Sequence, residues 1–266
     1  MYTKSKSKSK YLLYTLCNYR NSYYIRILKQ FLKALIAFSD LSAFDLCIIT
    51  DDAAYPILSK IKDLSHFSNV SYVTGPRSIS LDHALLRKFD ITQHPHYLEY
   101  DRILFLDCDI IVQKDVMNLF KNVKAYKNKL YVAEEGQVDG KYWKANAYLP
   151  QDIEYMKEHN IKSFNAGTFL FIPSPFMRTH FINAKIWGQQ YKGDHFYDQS
   201  IFNYYFNRNK IATISSYLSD KLIMFPDEKK YYPNKILMHI AGISRYKEKA
   251  KIMKEYLELI KRVKSL

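Results

Sequence analysis

The chain has 266 residues, with 40 Lys and Arg against 26 Asp and Glu, for a formal net charge of +14 at pH 7. Hydrophobic residues make up 48% and aromatics 16%, which excludes a disordered chain and provides a core for one large domain or two small ones. Only 7 Gly and 8 Pro exclude collagen-like and linker-like classes. No run approaches the roughly 18–20 apolar residues of a transmembrane helix, and no internal repeat suggests a solenoid or propeller.

The first ten residues, MYTKSKSKSK, read as a disordered basic tail. A basic start before an apolar run can mimic a secretion signal. Here the run Tyr11–Cys17 is short, no small-residue cleavage site follows, and Asn18-Tyr-Arg20 comes at once. The expectation is a first strand over 11–17 and a cytoplasmic protein, with no signal peptide or transmembrane helix. Cys17, Cys47 and Cys108 each sit in or beside an apolar run, and so sparse an odd set argues for a reducing compartment and against a disulfide scaffold.

Residues 22–38 carry Ile25, Leu28, Leu32, Leu35 and Ile36 at helical spacing. Strands are expected over 44–50, 70–74 and 102–106, with helix and loop over 80–98 broken at His94-Pro95, and further strands over 130–133 and 168–172. Alternating strands and helices in the first half predict an α/β fold with a mostly parallel central sheet. With no Gly-, Ser- or Pro-rich linker, residues 11–245 form one domain. From Tyr246 a basic amphipathic helix follows, with Ile252, Tyr256, Leu259, Ile260 and Val263 on its apolar face. Lys249 and six other basic residues are expected on its solvated side. The plain reading is a helix packed on the domain; the sharper one is a contact with an anionic membrane surface.

Asp107 and Asp109 end the fourth strand. As strand residues they would share one face, with Cys108 on the other, at the carboxyl end where open α/β sheets place ligands. Two carboxylates there repel unless a cation lies between them, and Mg²⁺ or Mn²⁺ prefers such oxygen ligands. Alone the pair is only two strand-end aspartates. His239, ending the run Lys235–His239, can complete a manganese site. Gly242 then allows close backbone approach to a phosphate, and Arg245 is placed to neutralise it. Asn165-Ala166-Gly167 reads as a turn before a strand, and Asp198-Gln199 as a capped helix start.

In this order the segments resemble glycosyltransferase family 8, the glycogenin-like and bacterial galactosyltransferase-like enzymes, over about residues 11–245. Ile103-Leu-Phe-Leu-Asp-Cys-Asp-Ile-Ile-Val112 is similar to the family's metal-binding strand, Phe164–Pro173 to its FNxG strand, Asp198-Gln199 with Asn203 to its DQxxxN helix start, and His239-Ile-Ala-Gly242 to its HxxG motif. The resemblance implies a GT-A (Rossmann-like) fold, a UDP-sugar donor, Mn²⁺ and retention of anomeric configuration. It implies metal ligation by Asp107, Asp109 and His239, and donor contacts from Lys88, or Arg87 if the register shifts by one. Thr15, Leu16 and Asn18 fall at the nucleotide end of the first strand, Tyr24 or Tyr23 is the candidate to stack on uracil, and Cys108 and Gly167 join the donor set. Asn165, Ala166, Asp198 and Gln199 line the sugar and reaction centre, with Asp198 and Gln199 as the catalytic candidates. The sequence departs from the family in having Arg245 with Tyr246-Lys247, where Lys with Pro-Trp is frequent; charge is kept, but as a planar fork.

The acceptor could be a glycan, protein or lipid, and a homodimer is the commonest closed assembly. The absence of Gly-rich phosphate motifs excludes dinucleotide and P-loop readings. A dehalogenase-type phosphatase would carry its Asp-x-Asp near the N-terminus. A basic nucleic-acid- or membrane-surface-binding protein is the alternative.

Overall fold

The computed structural model describes residues 10–18, 22–77, 80–137, 150–190, 198–224, 226, 230–242 and 245–265. The expected basic tail, residues 1–10, lies outside the described residues but for Lys10. The chain runs β1 (Tyr11–Leu16), α1 (Ser22–Phe38), β2 (Asp45–Ile49), α2 (Tyr55–Leu58), β3 (Val70–Val73) and α3 (Leu81–Leu86), which continues as a 3-10 stretch, Arg87–Gln93. Then come β4 (Arg102–Leu106), β5 (Ile110–Val112), α4 (Met117–Asn122), β6 (Leu130–Gln137), α5 (Pro150–Glu158), β7 (Lys162–Phe171) and α6 (Pro175–Gln190). The last elements are α7 (Asp198–Arg208), β8 (Ala212–Ile214), α8 (Ser216–Lys221), β9 (Leu222–Met224), β10 (Leu237–His239) and α9 (Tyr246–Lys264).

Seven strands form a sheet in the order β3-β2-β1-β4-β7-β6-β8. It is parallel from β3 to β4 and again between β6 and β8, while β7 runs antiparallel to both its neighbours. This is the mostly parallel sheet expected. A second sheet, β5-β10-β9, pairs His239 with Ile110 across an antiparallel ladder. The two sheets meet at Asp107–Asp109.

Successive residues of β1 serve opposite faces. Leu13 packs into a core with α1, α4 and α9, and Leu12 and Tyr14 into a core with α6 and α7. The second core is strongly aromatic. Phe169 lies 4.8 Å from Phe105, 5.1 Å from Phe202 and 6.2 Å from Phe181, ring centre to ring centre. Each such buried ring contributes about 1.5–3 kcal/mol through removal from water, and offset or edge-on geometry adds to that.

Three expectations need correction. The strand expected over 168–172 begins at Lys162, so Asn165–Gly167 are buried strand rather than a turn. Asn203 satisfies the buried backbone just before them: its Oδ1 accepts from the Phe164 N–H (2.7 Å) and its Nδ2 donates to the Phe164 carbonyl (2.8 Å). Asp107–Asp109 lie in a turn rather than on a strand face. In α9 the buried stripe is Lys249, Ala250, Met253, Tyr256, Leu257 and Ile260, one step round from the face read from sequence. Ile252 and Leu259 are half-buried and Val263 is exposed. Lys249 is therefore not solvated. Among the described residues no helix is long and apolar enough to cross a membrane.

Candidate active site

The turn after β4 is fixed by backbone bonds. The Asp107 N–H donates to the Gly167 carbonyl (2.9 Å), the Ile110 N–H to the Asp107 carbonyl (3.1 Å) and the Ile240 N–H to the Asp109 carbonyl (3.1 Å). These bonds bring the expected metal ligands together: one ligand atom each from Asp107, Asp109 and His239 lies within 4.8 Å of the others. His239 Nε2 is 3.1 Å from Asp109 Oδ1 and 3.9 Å from Asp107 Oδ2. Asp109 Oδ1 is buried without a hydrogen-bond partner, its nearest polar neighbour being His239 Nε2 at 3.1 Å. A buried, donorless carboxylate oxygen is unfavourable unless something positive completes it. Two carboxylates and an imidazole are the donor set for Mn²⁺ or a similar divalent cation. The residues fit such an ion.

Lys88 stands beside this cluster, 1% exposed. Its Nζ lies 2.5 Å from Asp198 Oδ2 and 3.7 Å from Asp107 Oδ1, and donates to the Ala166 carbonyl at 3.0 Å. The faces of Phe105 and Phe202 enclose it, 4.6 and 5.3 Å from the ammonium. Asp198 opens α7, where a helix N-terminus favours an anion. One residue on, Gln199 Oε1 accepts from the Ala166 N–H (3.1 Å), and its Nε2 donates to Glu135 Oε2. Asn165 Nδ2 lies 3.2 Å from His239 Nδ1, while its Oδ1 accepts from the Gly167 N–H (2.9 Å). A Cβ on Gly167 would sit 2.6 Å from both Asp107 Oδ2 and His239 Cε1, so only glycine lets the two ligands approach.

Charge in the site is balanced locally. Burial raises the Asp107 carboxyl to about 6 against the opposing pull of Lys88, though its side chain keeps 27% exposure. Burial also works to raise Asp109, but Lys249 and His239 outweigh it and hold that carboxyl well below the usual range. For Lys88, burial pulls the ammonium down and Asp107 and Asp198 more than restore it, so it stays charged. Burial pushes Glu135 up to about 7, with the bond from Gln199 opposing.

The remaining candidates lie further out. Thr15 and Leu16 are buried, and the Thr15 hydroxyl has no hydrogen-bond partner. Asn18 Nδ2 donates to the Ala84 carbonyl (2.9 Å), and its Oδ1 accepts from Arg87 (3.5 Å). Arg87 also pairs with Asp90 at 3.2 Å; it is Lys88 that reaches the cluster. Tyr24 packs on Tyr246, 4.4 Å between ring centres. Tyr23 and Arg245 line a cleft of about 650 Å³ between α1 and α9, with Arg26, Lys29, Lys33 and Lys251. Gly242 has a φ of +74°, which glycine adopts at no steric cost. Cys108 faces the apolar core, and burial pushes its thiol up. All three cysteines are free and buried.

Two residues of the cluster escaped the sequence reading. Glu135 lies two residues past the apolar run expected as a strand over 130–133, and the adjacent acids Glu134-Glu135 are the available signal. Lys249 is one lysine among many in a basic helix and carried no signal.

Known proteins share this fold, and a family model covers most of the chain. The profile described as glycosyl transferase family 8 matches residues 4–243, so the chain belongs to glycosyltransferase family 8. It is 31% identical over 150 residues to the glycosyltransferase GlyF of Streptococcus pneumoniae serotype 4 (strain ATCC BAA-334 / TIGR4), covering 55% of this chain and 31% of GlyF. Among solved structures, the galactosyltransferase LgtC, in complex with donor and acceptor sugar analogues, superposes with a TM-score of 0.62 at 15% identity, covering 94% of this chain and 95% of LgtC. The apo-form glycosyltransferase GlyE of Streptococcus pneumoniae TIGR4 gives 0.60 at 16% identity, covering 94% of this chain and 63% of that one. The chain thus spans under a third of GlyF and under two thirds of GlyE. The structural likenesses establish the GT-A fold.

Proposed function

We propose that the chain transfers a hexose or N-acetylhexosamine from a UDP-sugar to a hydroxyl acceptor, with retention, using Mn²⁺ or Mg²⁺ held by Asp107, Asp109 and His239. The observation that carries this reading is the donorless buried oxygen of Asp109, turned toward His239 and Asp107 beside the Lys88–Asp198 pair. A bound divalent cation supplies Lewis-acid stabilisation of the charge that develops on the departing diphosphate.

The chain's own residues do the rest. Lys88 stays charged in an apolar enclosure, where a preorganised cation acts strongly on developing negative charge. Gly242, whose positive φ needs no side chain, lets the backbone approach a phosphate, and Arg245, in the cleft between α1 and α9, is the nearest arginine in sequence to it. Gln199 is held from two sides, by Ala166 and Glu135, and so presents a fixed amide to the sugar. Asp198, fixed by Lys88, is the carboxylate available to stabilise an oxocarbenium-like C1. Family membership and this arrangement weigh against the alternative of a basic nucleic-acid- or membrane-surface-binding protein, which no observation favours.

The test is a panel of UDP-sugars, with and without Mn²⁺, assayed for UDP release. The expected result is release from one sugar that needs Mn²⁺ and is lost in Asp109→Asn. Absence of release from every sugar, with no Mn²⁺-dependent UDP binding, contradicts the proposal.

A further inference from the structure

We infer that Lys249 is a positioning residue of the metal site, by which the C-terminal helix holds Asp109 in the orientation that leaves one oxygen open toward His239. The inference rests on the divalent-cation reading above. Lys249 lies on the buried stripe of α9, 9% exposed, with its Nζ 2.5 Å from Asp109 Oδ2. That bond uses the outer oxygen of the carboxylate. The other, Oδ1, lies 3.1 Å from His239 Nε2 with no hydrogen-bond donor of its own.

Asp107 is arranged in the same way on the opposite side. Its Oδ1 faces the Lys88 ammonium at 3.7 Å, and its Oδ2 faces His239 Nε2 at 3.9 Å. Each aspartate therefore turns one oxygen to a buried lysine and the other inward. Lys88 comes from the first half of the domain. Lys249 comes from a helix beyond the residues that match the family, 4–243, so the family match assigns it nothing. A carboxylate that binds metal loses affinity when the group orienting it is removed, typically ten- to a hundredfold.

A lysine that merely anchors α9 would have a different signature. The anchoring role is isolated by Met253→Ala, which weakens the same helix face at a fully buried residue without touching Asp109. The experiment is a Mn²⁺ titration of the whole chain followed by the electron paramagnetic resonance of free Mn²⁺, with no donor present, alongside thermal melting.

Lys249→Met is expected to weaken Mn²⁺ binding ten- to a hundredfold, and Met253→Ala to lower the melting temperature while leaving Mn²⁺ affinity in place. Mn²⁺ binding by Lys249→Met as tight as in the unaltered chain, or tighter, overturns the inference, as does an equal loss in Met253→Ala. Should Lys249→Met not fold, Lys249→Gln carries the test: its shorter, neutral amide loses the charged bond to Asp109 Oδ2, so unchanged affinity overturns the inference. Failure of the unaltered chain to bind Mn²⁺ sinks the metal reading itself, whereas binding that ignores Lys249 sinks only this step.

Discussion

The two halves of the large sheet are built differently. β1, β2 and β4 pair in parallel and are apolar along nearly their whole length, with Leu12, Ile48 and Leu104 fully buried between helices. β7 enters antiparallel and places Asn165, Ala166 and Gly167 in its buried first half. The parallel half delivers Asp107 and Asp109 to the sheet's carboxyl edge. The reversed half supplies what meets them there: Asn165 beside His239, the Ala166 carbonyl on Lys88 and Gly167 under Asp107. In β7 the Phe164 peptide is partnered by Asn203 of α7, Asn165 by His239 of β10 and the Ser163 hydroxyl by the Gly136 carbonyl of β6, whereas the Thr168 hydroxyl is buried without a partner.

If the halves differ in this way, a change in the polar cluster must reduce both turnover and stability, and a change in the aromatic core must reduce stability alone. Lys88→Met is expected to have the largest effect. It leaves Asp198 and Asp107 without their counter-ion, which should lower stability by about 3–5 kcal/mol and UDP-releasing turnover by about 10²–10³-fold, read by denaturant unfolding and by rate. Phe169→Ala should lower stability by about 3–5 kcal/mol, while the fraction that remains folded keeps its affinity for Mn²⁺. A loss of Mn²⁺ binding in folded Phe169→Ala protein would blur the division.

Glu135 sharpens the comparison through pH. Its pKa rises from 4.5 to about 7 in the folded chain, so between those values the native state holds a proton that the unfolded chain has released. Native stability should therefore fall as pH rises through this window, by at most about 3 kcal/mol. Glu135→Gln removes that slope, still accepts from Gln199, and should match the unaltered chain near pH 4.5 and exceed it near pH 8. Equal slopes in the two proteins, measured by denaturant unfolding, would contradict the burial of this carboxyl.

Gly167→Ala has the smallest expected effect on stability, about 1–3 kcal/mol, and acts chiefly on the site. Its Cβ displaces Asp107 or His239, so Mn²⁺ affinity should fall more than the melting temperature suggests. A variant that kept full Mn²⁺ affinity would show that the two ligands need not approach so closely.

The contrast also explains what could be read from sequence. Tyr11–Leu16, Asp45–Ile49 and Arg102–Leu106 are apolar runs that declare themselves locally, as does the stripe of α1. Asp107, Asp109, His239 and Lys88 were legible through motif order, and the structure brings them together. Asn165–Gly167 looked like a turn because local pattern carries no record of Asn203, a residue 38 positions after Asn165 in the chain, whose amide makes the strand's burial tolerable. Lys249 was hidden for the opposite reason: its own helix is amphipathic and basic, and only the depth of packing separates it from Lys247 or Lys251. Glu135 lay just past the point where the apolar pattern of β6 stops.

The central claim is that Asp107, Asp109 and His239 hold one divalent cation. Diffraction at the manganese absorption edge from crystals grown with Mn²⁺ and UDP tests it most directly. The account predicts a single anomalous peak bonded to one oxygen of each aspartate and to His239 Nε2, with Lys249 still on the outer oxygen of Asp109. No peak at that position, or manganese held elsewhere with these three side chains unengaged, would contradict it.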